Sequence, residues 1–109
     1  MASLRVDQLR EHVASDPGCV LLDVREAWEV QLARIEFAPA RSRHIPMNEI
    51  PQRLAELEGA PSIVCICHHG VRSAQVVAFL HQRGHPRVYN LAGGVDAWST
   101  QIDPAVPRY

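Results

Sequence analysis

An uninterrupted apolar run, Ser62-Ile63-Val64-Cys65-Ile66, leads into Cys67, a polar loop His68-His69-Gly70-Val71-Arg72, and a helical pattern that begins at Ser73. β-Branched residues without polar alternation suit a strand buried on both faces, the kind found in parallel sheets covered by helices on either side. Cys67 then emerges at the carboxyl end of its strand, where open parallel sheets place their ligands. Downstream, Ala74, Val77, Ala78 and His81 recur at helical spacing, with Ser73 expected to cap the first turn and Gly84 to stop the last.

The loop from Cys67 to Arg72 therefore sits against a helix amino terminus. Its backbone N–H groups lack intrahelical partners and can curl into an anion cradle, to which the helix dipole and Arg72 add positive potential. A thiol in such a setting ionises readily, its pKa falling from about 8.5 to roughly 3.5–7.5. The same run also holds Cys65, two residues earlier and so on the same face of the pleat, which reads as an inert core thiol. Cys67 differs in being followed by His-His-Gly, an arginine and a helix start.

At these residues the chain resembles a known family. The loop Cys67-His68-His69-Gly70-Val71-Arg72-Ser73 is similar to the active-site loop of rhodanese domains, sulfurtransferases that carry a persulfide on one cysteine. Leu21-Leu22-Asp23-Val24-Arg25-Glu26 resembles the family's amino-terminal signature, and Asn90-Leu91-Ala92-Gly93-Gly94-Val95-Asp96-Ala97-Trp98 its carboxyl-terminal one. The resemblance implies Cys67 as the catalytic nucleophile and His68, His69, Gly70, Val71, Arg72 and Ser73 as the substrate-binding loop. It also implies thiosulfate, or a persulfide, as sulfur donor and cyanide or a thiol as acceptor.

The rest of the chain reads as scaffold. Leu4 to Val13 gives a brief strand and an amphipathic helix, and Cys19 to Asp23 an apolar strand ending on the same edge as Cys67. Asp23 and Arg25 are candidates for holding the active loop, against a helix cap for Asp23 and a solvated charge for Arg25. Cys19 reads as a structural thiol. Glu26 to Leu32 is a short helix anchored to the sheet by Trp28. The segment from Ala33 to Pro46 departs from the family pattern, with Phe37-Ala38-Pro39 where a compact glycine turn is usual. Its basic residues Arg34, Arg41, Arg43 and His44 read as a solvated loop sooner than as a docking surface. Met47 to Leu57 is a turn entering a helix with Leu54 and Leu57 inward, and Arg87 to Leu91 a final strand. Gly93-Gly94 permits close backbone approaches, Val95 and Trp98 open a short helix, and Asp103 to Tyr109 is a surface tail.

Strands alternating with helices make a three-layer α/β/α domain over residues 1–109, with a mainly parallel central sheet and, by resemblance, a rhodanese-like topology. A formal net charge of −1 gives no electrostatic reason to expect nucleic acid or an anionic membrane as partner. With no apolar run of about 18 residues and no basic-then-apolar leader, the expectation is a cytoplasmic protein. Three cysteines cannot form a disulfide framework, in keeping with reduced thiols.

Sulfur transfer needs a thiolate, convergent donors for the charge on a persulfide, and no cofactor or metal. Cys-His-His in direct succession lacks the spacing that brings ligands onto one tetrahedral ion. His68 and His69 instead read as residues that tune charge at the loop mouth. Partners are then small sulfur donors and acceptors or a sulfur-accepting protein, with the oligomeric state open. Two rivals differ in kind. A cysteine phosphatase places five residues between cysteine and arginine, whereas four separate Cys67 from Arg72. A non-catalytic rhodanese-like binding module typically lacks the cysteine or a well-formed loop.

Overall fold

The structure, a computed structural model, describes residues 2–109. Five strands, β1 (Ser3–Leu4), β2 (Val20–Asp23), β3 (Arg41–His44), β4 (Ile63–Ile66) and β5 (Val88–Leu91), form one sheet in the order β1-β5-β4-β2-β3. All four pairings are parallel. Helices α1 (Leu9–Ser15), α2 (Ala27–Leu32), α3 (Val71–Gln82) and α4 (Gly94–Gln101) complete the layers, with 3-10 segments at Val6–Gln8 and Met47–Leu57.

The apolar run occupies the middle of the sheet, as its composition requires. Every residue of β4 is buried, and the pleat sends alternate side chains into two different cores. Val64 and Ile66 join Leu9, Val13 and Trp98 on the side of α1 and α4. Ile63, Cys65 and Cys67 join Ile50, Leu57, Val77 and Leu80 on the side of α3. Burying an aliphatic side chain of this size contributes about 1.5–3 kcal/mol, so β4 stabilises both cores at once.

The fold departs from the sequence expectations at two backbone segments and one side chain. Residues 41–44 form the edge strand β3 beside β2, with its outer side exposed. Charged side chains on an open edge discourage pairing with another chain, which is why a segment so rich in arginine reads as loop yet is stable as a strand. Met47–Leu57 is 3-10 and breaks at Arg53 (φ −118°, ψ 21°), two residues after a proline that cannot donate its N–H. Trp28 does not anchor α2. It is 60% exposed, and the helix is fixed instead by reciprocal capping between Glu26 and Glu29.

Candidate active site

Cys67 follows β4 at the carboxyl edge of the sheet and is 1% exposed. The loop turns back over it because Gly70 adopts φ +102°, a left-handed conformation that costs glycine little, and α3 starts at the next residue. This turn aims two backbone donors at the sulfur: Gly70 N–H lies 3.0 Å from Sγ and Ser73 N–H 3.4 Å. Since α3 begins at Val71, the N–H groups of Val71 and Arg72 also lack helical partners.

Ser73 is not the helix cap that its sequence position indicated; Gly70 holds that place. Its hydroxyl oxygen lies 3.2 Å from Cys67 Sγ and 2.5 Å from Asn90 Oδ1. Asn90 is itself fixed in orientation, because its Nδ2 donates to Gly70 O at 3.1 Å, so Oδ1 must accept from Ser73. With its one proton given to Asn90, Ser73 receives the S–H of the neutral thiol. A rotation of the same hydroxyl would supply a third donor to the thiolate.

Helix α4 clamps the loop from the far side. The N–H groups of Val95 and Asp96 donate to the carbonyls of Cys67 and His68 at 3.0 and 3.1 Å. An ideal Cβ on Gly94 would overlap Cys67 O and lie 2.6 Å from His68 O, so only glycine lets the two backbones approach this closely. The double glycine in the sequence thus marks a contact with the loop and not only a turn.

A polar network lies beside the loop. Arg72 does not stand free as a cation near the sulfur: both its terminal nitrogens bind Glu29, at 2.8 and 2.7 Å. That pair of hydrogen bonds holds the Glu29 carboxyl down to about 2 against the opposing effect of its burial, and pushes Arg72 up. Arg25 is completely buried, not solvated, and its guanidinium binds the Asp23 carboxylate and the carbonyls of Glu29 and Ala33. Asp23 also accepts the backbone N–H of Arg25 at 3.1 Å. Asp23 and Arg25 therefore reach the loop through Glu29, one step removed from the position expected of them.

The tail departs furthest from expectation. Tyr109 enters this network instead of lying on the surface: its phenol accepts from Arg25 Nη1 at 2.7 Å and donates to Glu29 Oε1 at 3.0 Å. Its ring lies flat on His68, with centroids 4.0 Å apart at 9°, and His68 in turn stacks on His69. Burial, and the neighbouring His69, push the His68 imidazole below its ordinary value against the pull of Asp96 and Glu29. Val71, 69% exposed, lines the outside of the loop.

His68, His69 and Asp96 are the described residues able to gather donor atoms, within 4.8 Å of one another, around a cation. The two histidine rings stack on one another with centroids 3.9 Å apart, and Asp96 is held by Arg108 at 3.0 Å. Three of the basic residues of 34–44 have partners: Arg34 pairs with Glu36, Arg43 with Glu56, and His44 Nε2 donates to Arg25 O at 2.6 Å.

Sequence reasoning missed Glu29, Asn90 and Tyr109 as contributors. Asn90 carried a signal, a polar amide inside an apolar strand that ends on the ligand edge. Glu29 and Tyr109 carried none, since a glutamate in a short helix and a tyrosine after Pro-Arg look like surface residues.

The comparisons with known proteins agree with this geometry. The chain is 34% identical over 100 residues to a sulfurtransferase of Allochromatium vinosum, covering 92% of this chain and 90% of that protein. It is 27% identical over 94 residues to a thiosulfate sulfurtransferase of Stutzerimonas stutzeri, covering 86% and 83%. A crystal structure of a rhodanese-like domain protein from Staphylococcus aureus superposes with a TM-score of 0.77 at 32% identity, over 90% of this chain and 91% of that one. The family model described as a rhodanese-like domain matches residues 5–101, which include both signatures and the whole Cys67 loop, and the chain belongs to the rhodanese-like family.

Proposed function

We propose that the protein is a sulfurtransferase that takes a sulfane sulfur from thiosulfate or a persulfide donor onto Cys67 and passes it to cyanide or a thiol. The observation that carries this reading is the Cys67 sulfur receiving two backbone N–H groups inside a four-residue loop. The names of the relatives in Allochromatium vinosum and Stutzerimonas stutzeri support it.

The chemistry follows from the geometry. The Cys67 thiolate attacks the outer sulfur of thiosulfate, the donor S–S bond breaks, and sulfite leaves with the bonding electron pair. The product, Cys67–S–S⁻, places its negative charge on the outer sulfur, where the free N–H groups of Val71 and Arg72 are available to it. An acceptor thiolate or cyanide then attacks that sulfur, and the Cys67 thiolate leaves with the electrons of the cleaved bond. His68, His69 and Val71 border the path of the acceptor. Arg25, bound by the Asp23 carboxylate, donates to the Glu29 carbonyl, and the Glu29 carboxylate holds Arg72.

Intact mass spectrometry after incubation with thiosulfate tests the reading. The expected result is a gain of one sulfur that cyanide removes, present in the native protein and lost in Cys67→Ser. Sulfur mapping to Cys19 or Cys65, or cleavage of an aryl phosphate that depends on Cys67 without any adduct, would overturn it.

A further inference from the structure

Tyr109 lies beyond the residues matched by the family model, yet it hydrogen-bonds Arg25 and Glu29 and stacks on His68. It is brought there by a held segment. Asp103 N–H donates to Trp98 O, Ser99 Oγ donates to Val106 O, and Arg108 pairs with Asp96 at 3.0 Å. The strap thus runs from the end of α4 back to the loop and sets the tyrosine down between two functional features.

One feature is the Glu29–Arg72 pair. Glu29 Oε1 accepts from Arg72 Nη2 at 2.7 Å and from the Tyr109 hydroxyl at 3.0 Å, while the Tyr109 oxygen accepts from buried Arg25. The phenol therefore joins two guanidinium groups through one carboxylate, and its removal leaves Arg25 Nη1 short of a partner and Glu29 with a lone pair free. Burial pushes the phenol up, so it remains a hydrogen-bond donor at neutral pH. The other feature is the mouth itself. Trp28 meets the Tyr109 ring edge-on at 6.1 Å, Tyr109 covers one face of His68, and His69 covers the other. These four rings form a continuous wall beside the loop that carries Cys67. His68 Nε2, buried and without a hydrogen-bond partner, is held at this wall by stacking alone.

We propose that Tyr109 is a positioning residue for sulfur transfer: through it the carboxyl-terminal strap holds the Glu29–Arg72 pair and the His68 wall in the arrangement that receives the acceptor. The proposal rests on the sulfurtransferase reading for its kinetic consequence and on geometry alone for its structural one. Tyr109→Phe keeps the ring and deletes both phenol hydrogen bonds; Tyr109→Leu deletes the wall as well.

The test measures sulfur release from thiosulfate-loaded Cys67 to glutathione, normalised to folded protein by circular dichroism. The acceptor KM should rise about fivefold in Tyr109→Phe, the worth of a lost hydrogen bond, and about fivefold more in Tyr109→Leu, the worth of a lost aromatic pair. At saturating glutathione kcat should stay within about twofold of native, because neither substitution touches the sulfur. An unchanged KM in both variants, or a fall in kcat alone that is equal in the two, would reduce Tyr109 to a structural tail residue. If the native protein takes no sulfur onto Cys67, the functional reading fails by itself. Tyr109 is then judged by the Arg72 side-chain N–H signals in NMR, which broaden in Tyr109→Phe if the phenol fixes the pair and stay sharp if it does not.

Discussion

The two ends of the sheet carry nearly the same residue types and put them to different use. At the amino end, Cys19, His12, Ser62 and Asp16 cluster; at the carboxyl end, Cys67, His68, Ser73 and Asn90. Ser62 donates to Asp16 and receives His12 Nε2 at 3.1 Å, which ties α1 to the start of β4. Cys19 lies among these groups with its sulfur 3.9 Å from Val20 O, and burial pushes its thiol up. Burial does the same to Cys65. Cys67 is as deeply buried as either, but a backbone that folds back at Gly70 gives its sulfur N–H donors instead of a carbonyl. Cys19 and Cys67 thus differ in the groups nearest the sulfur and not in exposure.

The contrast depends on the loop holding its shape, so Gly94→Ala should break it most strongly. The new Cβ would collide with the carbonyls of Cys67 and His68 at a residue whose φ is +59°. With strain of about 1–3 kcal/mol directed into the loop, sulfur loading from thiosulfate should fall by about tenfold or more while the sheet remains folded. Stopped-flow loading and circular dichroism on the same sample would separate the two effects; native loading rates would show that the clamp from α4 does not shape the site.

A smaller effect is expected from acid. The Glu29 carboxyl is depressed to about 2 in the folded protein, against about 4.3 for an unperturbed glutamate. Its ion pair therefore adds stability that is complete above that ordinary value and is lost as pH falls toward 2. Arg72 is one-third exposed, which screens the pair, so the loss should be on the order of 2 kcal/mol. Urea unfolding at pH 6 and pH 3 should show a steeper decline for the native protein than for Glu29→Gln. Equal declines would remove Glu29 from the network that supports the loop.

The smallest effect sharpens the comparison by its absence. Cys19→Ser and Cys65→Ser should load sulfur within about twofold of the native rate, and iodoacetamide at pH 7 should label Cys67 alone in each. Labelling of Cys19 at a comparable rate would erase the distinction between the two ends of the sheet.

Local pattern carried much of this molecule. The apolar run at 62–66 dictated a strand covered on both faces, and the change to helical spacing after it placed Cys67 at the ligand edge. Gly70 and Gly94 announced backbone conformations or approaches denied to other residues, so the turn of the loop was legible from the sequence, whereas what Gly94 approaches was not. Trp28 and β3 were misread for opposite reasons. A large aromatic in a short helix is usually buried and an arginine-rich segment is usually loop, and only the packing of neighbouring elements decides either case.

The sequence by itself determined the apolar strands of the sheet and the turn of the loop after Cys67, because these depend on periodicity and on backbone freedoms written residue by residue. Tertiary structure alone decided that Arg72 belongs to Glu29, that Arg25 is buried, that Asn90 orients Ser73, and that Tyr109 closes the network. The contacts of Arg72 with Glu29, of Asn90 with Ser73 and of Tyr109 with Arg25 join groups 17 to 84 positions apart in the chain. Hydrogen bonds across such separations are set by where the fold brings the side chains, and no local pattern encodes that meeting.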